Sequence, residues 1–536
     1  MKRNLFCTSK ILTILLIILM TSCTKEENDI NKTTILPTKE LNYDGAIGLG
    51  EQLNDPYRYE NMQAAFQSLL IEDVEFPMSN LSPTGTYVRA LAHDKDEMWT
   101  IEEDTTIAWF LYPLDYEIET PGSYYVDPTL PDTTCEWLYG VIPIGYAMPS
   151  GIVYEVLYQV CIPDEIDGYK DNEEVYDLLE ERSMELTGNI DSVTQNVTQE
   201  KCLGGGWRPS ATLQVWDSKN NTYVPLQGIR VDAHTWCKTA TKITDASGFC
   251  EMDRKFYSSV QYSFKWERVY WQIVKQENTR STMLTGPKQT GRWILNIYKN
   301  RETDYVRATI HRAALQVYYS ALWTIERPIK RNLLGGIKKM LIRYKLASSS
   351  NSLGISAANM GSAINGADIE IAGRNNTNVL FETQHIFAAA IHELAHWSHR
   401  LFYGNGFHTE VSPYVSESWA ICVEWYMTTH HYPNLFGTLG YMNGYQNWTT
   451  TQTDNIEYTP VFVDLMDSYN QGGYYNNNQS NDNISGYTLK EIQDNLLEES
   501  YTKQTLLGSM KSHKLHGATD TDVDNLMNVY INNSLL

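Results

Sequence analysis

The chain has 536 residues, with 65 acidic against 42 basic side chains and a formal net charge of −23. A surplus of that size repels phosphate backbones and anionic bilayers, so it excludes nucleic acid as a partner and any membrane attachment that relies on charge. The length allows about three domains.

The chain opens with Met1-Lys2-Arg3, an apolar run from Ile11 to Met20, and Thr21-Ser22-Cys23. A basic start, a short apolar core and small residues describe a secretory signal that is too short for an ordinary spanning helix. The stretch Leu19-Met20-Thr21-Ser22-Cys23 resembles a bacterial lipobox, although leucine is preferred where Met20 stands. The resemblance implies that Cys23 becomes the acylated N-terminus. The following Thr24-Lys-Glu-Glu-Asn-Asp29 resembles the surface-export signal of certain Gram-negative lipoproteins. Together these imply an outer-membrane lipoprotein that touches the membrane only through its lipid, surface-exposed with a periplasm-facing lipoprotein as the alternative. Loss of Lys2, Arg3 and Lys10 makes the mature chain three charges more negative. Residues 23–42 read as a polar tether.

Residues 43–200 read as a mixed α/β domain. Helices are expected over 56–70 and 172–186, and strands over 87–91, 106–112 and 153–157. No catalytic constellation stands out there. From 205 to 299 the pattern is wholly β, with short apolar alternations broken by Asp-Ser, Asn-Asn and Ser-Gly turns. Pro225-Leu-Gln-Gly228-Ile-Arg-Val231 and Thr244-Asp-Ala-Ser-Gly248-Phe249 resemble the carboxypeptidase-regulatory, transthyretin-like β-sandwich. The resemblance implies a module that stabilises or positions a catalytic neighbour. Trp207, Trp216, Trp236, Trp266, Trp271 and Trp293 fit core packing better than a sugar-binding platform.

Six cysteines remain after the signal and the lipid site: Cys135, Cys161, Cys202, Cys237, Cys250 and Cys422. Disulfides are permitted outside the cytoplasm, and Cys237 with Cys250 could cross-link neighbouring strands. The lack of a CxxC pair argues against a structural zinc. Cys422 reads as a buried thiol.

Residues 302–536 read as mainly helical. Helices are expected over 303–324 and 328–346. A strand follows in Gly366–Gly373, where Asp368, Glu370 and Ala372 alternate with Ile369 and Ile371. A helix starting near Asn378 or Thr383 and ending at Gly404 then carries His392-Glu393-Leu394-Ala395-His396. Residues four apart share one helical face, so His392 and His396 can close on one ion. Glu393 lies about 100° round the same turn and can reach a metal-bound water without being a ligand. His399 and Phe402 stand where a metzincin needs Gly and His, so that class is excluded.

Twenty residues separate His396 from Glu417, in Val415-Ser-Glu417-Ser-Trp-Ala-Ile-Cys-Val-Glu424-Trp-Tyr426. This segment resembles the E-(G/S)-W-A helix of gluzincins, the thermolysin-like zinc peptidases. The resemblance implies one Zn²⁺ per chain on His392, His396 and Glu417, with Glu393 as general base. It implies an oxyanion donor among Tyr426, His430, His431, Tyr432 and Tyr441. It also implies that the 366–373 strand is a sheet edge along which substrate lies, past Asp368, Glu370 and Ala372. Glu410 and Glu424 compete for the metal, Glu424 also as a partner for a ligating ring. The acidic residue that many gluzincins carry four positions after the glutamate ligand is replaced by Ile421, so the residue orienting His392 is open. A helix beginning at Thr459, a surface loop over 469–486 and helices over 488–498, 502–513 and 520–532 complete the chain.

The expectation is a multidomain α+β chain: a mixed N-terminal domain, a β-sandwich module and a mainly helical catalytic domain with a small sheet. Its expected function is zinc-dependent hydrolysis of protein or peptide substrates outside the cytoplasm. The alternatives are an inactive surface adhesin or glycan-capture lipoprotein that keeps the helix pair, and a metal hydrolase of non-peptide bonds.

Overall fold

The computed structural model describes residues 44–130, 135–189, 206–274, 280–332, 335–345, 354–356, 366–432, 459–468 and 483–532. The signal, the tether and Cys23 lie outside them, as do Cys202, Tyr441 and most of the 469–486 run. The chain is α+β, as the two hydrophobic periods in its sequence require.

In the first part, β1 (Gly48–Gln52), β2 (Gly85–Ala92), β3 (Tyr116–Thr120), β4 (Glu136–Pro143) and β5 (Val153–Val160) form two antiparallel groups. β2 sits between β4 and β5, and β1 pairs with β3. Helices Tyr59–Ile71 and Glu173–Leu186 pack together through Met62, Phe66, Tyr176 and Leu179. The strand expected at 106–112 is not formed. That segment meets the sheet only at Phe110, which exchanges two 2.8 Å backbone bonds with Tyr139. Ile107, Trp109, Phe110, Leu111 and Tyr112 are nevertheless all buried. The apolar run therefore fills the core as irregular chain.

The β-rich segment holds β6 (Ser210–Asp217), β7 (Thr222–Pro225), β8 (Arg230–Thr235), β9 (Lys238–Ile243), β10 (Phe249–Glu251), β11 (Val260–Lys265), β12 (Trp271–Val274), β13 (Met283–Gln289) and β14 (Trp293–Ile297). One sheet runs β10-β6-β14 with β7 also on β6, and the other runs β13-β11-β8-β9. They meet where Tyr262 and Phe264 of β11 pack on Trp293 of β14. Trp236, Trp266, Trp271 and Trp293 are buried, which accords with packing for these four. Cys237 lies in the core of residues 47–184, whereas Cys250 lies in the core of the β-rich segment. The cross-link that the sequence left open between them is therefore not made, and Cys135, Cys161, Cys237, Cys250 and Cys422 are all free thiols.

After helix Glu302–Tyr319, the helix expected over 328–346 is replaced by β15 (Lys330–Arg331), β16 (Ile337–Lys338) and β17 (Met340–Lys345). The turn between β15 and β16 uses Gly335 at φ 86°. β17 lies between β12 and β19 (Ile369–Ala372), parallel to both, and β18 (Gly354–Ser356) runs antiparallel outside β19. Met340 to Tyr344 are all buried. A strand covered on both faces loses its period of two, so the sequence carries no strand alternation there.

Residue 300 does not interrupt the core. One continuous apolar cluster runs from Ala211 of β6 to Tyr530.

Candidate metal centre

The site stands on two helices, Thr383–Tyr403 and Pro413–His431. The first presents Ile386, Phe387, Ala390, Ile391, Leu394 and Ala395 to the core at helical spacing. Helix Glu302–Tyr319 packs along it. No side chain caps its first turn from within the helix. Instead, Thr383 and Ser218 exchange backbone-to-hydroxyl bonds of 2.9 Å, and Tyr305 reaches Thr383 Oγ1 at 2.6 Å. The far end stops at Gly404, φ 83°. Trp397 donates to the Asp368 carbonyl at 3.3 Å, which fixes the helix to β19.

The glutamate helix begins with Pro413 in its first turn, where a missing N–H costs nothing. Trp419 packs on Phe462, and Ser418 accepts from Thr459 N at 2.8 Å. These contacts set its rotation so that Glu417 faces the histidine pair.

His392, His396 and Glu417 come together with ligand atoms within 4.8 Å of one another, and they could hold a metal ion. His392 Nε2 lies 3.2 Å from His396 Nε2 and 3.1 Å from Glu417 Oε2, and His396 Nε2 lies 3.4 Å from the same oxygen. Three donors held about 2.0–2.1 Å from one tetrahedral ion would be roughly 3.3 Å apart. The triangle has that size.

The other ring nitrogen of His392 donates to Glu424 Oε2 at 3.0 Å. Ile421 supplies no such bond; the carboxylate sits one turn further along, and its +7 spacing from Glu417 was the signal for it in the sequence. His396 Nδ1 is buried with no hydrogen-bond partner among the described residues. Glu410 lies on the short helix Phe407–Glu410 and accepts from Tyr403 at 2.5 Å, away from the triangle.

Electrostatics follow from this crowding. Burial opposes charge on His392, but Glu417 and Glu424 outweigh it and hold the ring pKa well above its ordinary value. Burial would raise Glu417 too, yet His396 and His392 hold it far below the carboxylate range. A cation between them would replace the proton. Burial pushes Glu393 up to about 7. Glu393 is 6% exposed and has no hydrogen-bond partner among the described side chains.

The five candidate oxyanion donors separate. Tyr432 donates to Asp217 at 2.9 Å, and His431 bonds Arg312 at 3.1 Å while stacked on Phe387, so both belong to a buried network with β6. Burial lowers His431 to about 4. Tyr426 is half-buried, and its ring lies tilted against that of exposed His430 with centroids 4.2 Å apart. Tyr441 lies outside the described residues. His385, two turns before His392, is a further nearby group that motif reading passed over. It is exposed and within electrostatic reach of Glu424.

The residues expected to meet substrate are engaged otherwise. β19 is not a sheet edge, because β18 lies outside it. Asp368 accepts from Lys330 at 2.6 Å and from Leu341 N at 2.8 Å. Glu370 pairs with Arg343 and Lys345, and Ala372 is buried. Their alternation is that of an inner strand whose acids neutralise neighbouring cations.

His399 is 1% exposed and packs on Phe407, and neither ring nitrogen has a partner among the described residues. It lies outside the ligand group. No family model and no curated protein matches this chain.

Proposed function

We propose that this chain is a zinc-dependent peptidase of gluzincin type, acting on protein or peptide substrates outside the cytoplasm. The supporting observation is the triangle of His392, His396 and Glu417, with sides of 3.1 to 3.4 Å. Its two imidazoles and one carboxylate are a donor set that zinc accepts, and three protein ligands leave a fourth position open. Zinc bound there would lower the pKa of its water toward about 7 and polarise a substrate carbonyl.

The chain's own residues supply the rest. Glu393 follows the first histidine of the pair and keeps a buried carboxylate without a hydrogen-bond partner among the described side chains, so it can take a proton from the attacking water and pass it to the leaving amine. Glu424 holds the His392 ring and its tautomer. Tyr426, His430 and His385 are the donors near the site that the buried network leaves available for the oxyanion.

In this reading residues 43–200 form the mixed N-terminal domain, 205–299 the carboxypeptidase-regulatory-like module and 302–536 the catalytic domain. Cys23 carries the lipid that holds the protein at the outer-membrane surface.

The test is metal analysis together with casein cleavage. Wild type should hold one zinc and cleave. Glu393→Gln should keep the zinc and lose about a hundredfold or more in rate, and Glu417→Ala should lose the metal. Zinc-loaded wild type that cleaves no peptide, or full zinc retention by Glu417→Ala, would overturn the proposal.

A further inference from the structure

A cavity of about 860 Å³ opens where β9, the loop after β11, the β15–β16 hairpin and helix Lys95–Ile101 converge. None of its lining residues comes from the two metal-site helices. Its volume lies within the range of ligand sites.

One wall is an open sheet edge. β9 pairs with β8 and, among the described residues, has no second strand beside it. The direction of its backbone groups can be read from its bonds. Thr244 exchanges bonds inward with Ile229 and Gly228, while the Thr239 carbonyl accepts from Arg254 on the outer side. Backbone groups alternate along an antiparallel strand, so those of Thr241 and Ile243 point away from β8. Both residues line the cavity.

The rest of the lining suits an extended chain. Ile243, Val269 and Ile337 are exposed apolar side chains, at 50%, 50% and 41%, and all three line this one space together with the half-buried Trp99. Most charges in the wall are already matched: Lys265 and Lys339 each bridge Glu102 and Glu267. Arg268 has no carboxylate partner among the described residues and lies 5.6 Å from the Tyr319 ring, and Glu103 at the rim of the same wall likewise has no cationic partner among them. In a chain of net charge −23, an unmatched guanidinium beside an apolar rim is complementary to an acidic group on an apolar ligand.

We propose that this cavity is a docking site for an extended peptide segment. The segment adds as a strand to β9 through the backbone of Thr241 and Ile243. Its alternate apolar side chains rest on Ile243, Val269 and Ile337, and one carboxylate meets Arg268. Strand addition takes its affinity from main-chain bonds and its selectivity from the pockets for alternate side chains. The site is separate from the metal centre and stands whether or not that centre cleaves peptides.

The experiment selects binders from a randomised octapeptide library on the full chain carrying Glu393→Gln, so that bound peptide is not turned over. Recovered peptides are then measured against Thr241→Pro and Arg268→Glu in the same background. Proline is tolerated where a strand N–H faces outward, so Thr241→Pro should keep the melting temperature while closing the edge. The expected result is peptides with apolar residues at alternate positions and an acid, each losing about tenfold or more in affinity with either variant. If Thr241→Pro melts early, Arg268→Glu alone carries the comparison. Peptides that bind all three proteins equally, a selection that enriches nothing, or a cavity that takes soluble oligosaccharides and no peptide would overturn the proposal.

Discussion

Nδ1 of His392 and a carboxylate oxygen of Glu424 stand 3.0 Å apart, on the side of the ring opposite Glu417. The same helix thus supplies both the candidate ligand and the group that aims its neighbour. Removing such an aiming partner typically costs about 10–100-fold in metal affinity. Glu424→Gln should therefore weaken zinc binding by that factor and regain most activity at saturating zinc. Glu417→Ala should not be rescued in this way. Zinc titration followed by activity measures both, and equal behaviour of the two variants would remove the distinction.

His399 should be an acid-labile point with no part in holding metal. Burial lowers its pKa from 6.5 to about 3. Between those values the unfolded chain binds the extra proton, so stability falls as pH drops below 6.5 and the term is absent above it. At pH 5 the loss is about 2 kcal/mol. His399→Leu should then melt higher than wild type at pH 5, by a margin that shrinks toward pH 8, with unchanged zinc content. An acid limb identical to wild type would show that the ring is not buried neutral.

Glu370 should matter for stability rather than for substrate. It pairs with Arg343, which is 3% exposed on β17. Glu370→Gln leaves that guanidinium buried without its counter-charge, a loss of about 3 kcal/mol or more. The expected outcome is an early melt with KM unchanged at a temperature where the variant is folded. A raised KM with normal melting would restore the substrate-contact reading.

Lys238 and Glu180 are each 1% exposed and lie 2.7 Å apart, and Tyr57 also donates to Glu180 at 2.6 Å. Lys238→Met strands the carboxylate and should cost about 3–5 kcal/mol. The double change Lys238→Met with Glu180→Leu should recover a large part of that. Chemical denaturation of the three proteins gives the comparison, and additive losses would mean that the two charges act independently.

The histidine helix was legible because local signals agreed: an amphipathic run over 383–403, a glycine stop at 404, and two histidines one turn apart. Glu417 was found through the motif around it. What escaped was set by neighbours distant in sequence. Met340–Lys345 is a strand because β12 and β19 flank it and both its faces are covered, and no local pattern encodes that. The edge position of 366–373 failed for a related reason, since β18 is a short strand with little apolar signal of its own. The role of Glu424 was one of two open readings until the rotation of the helix was known.

β12 belongs by sequence to the β-rich segment, yet it pairs residue for residue with β17, Trp271 opposite Met340 and Val274 opposite Arg343. The segment is therefore tied to the sheet of β17 and β19 by one of its own strands. A polypeptide beginning at residue 302 would lack the strand that closes one side of the sheet beneath the histidine helix, and β17 would become a bare, sticky margin. The piece carrying the candidate ligands inherits part of its foundation from a strand about seventy residues before β17.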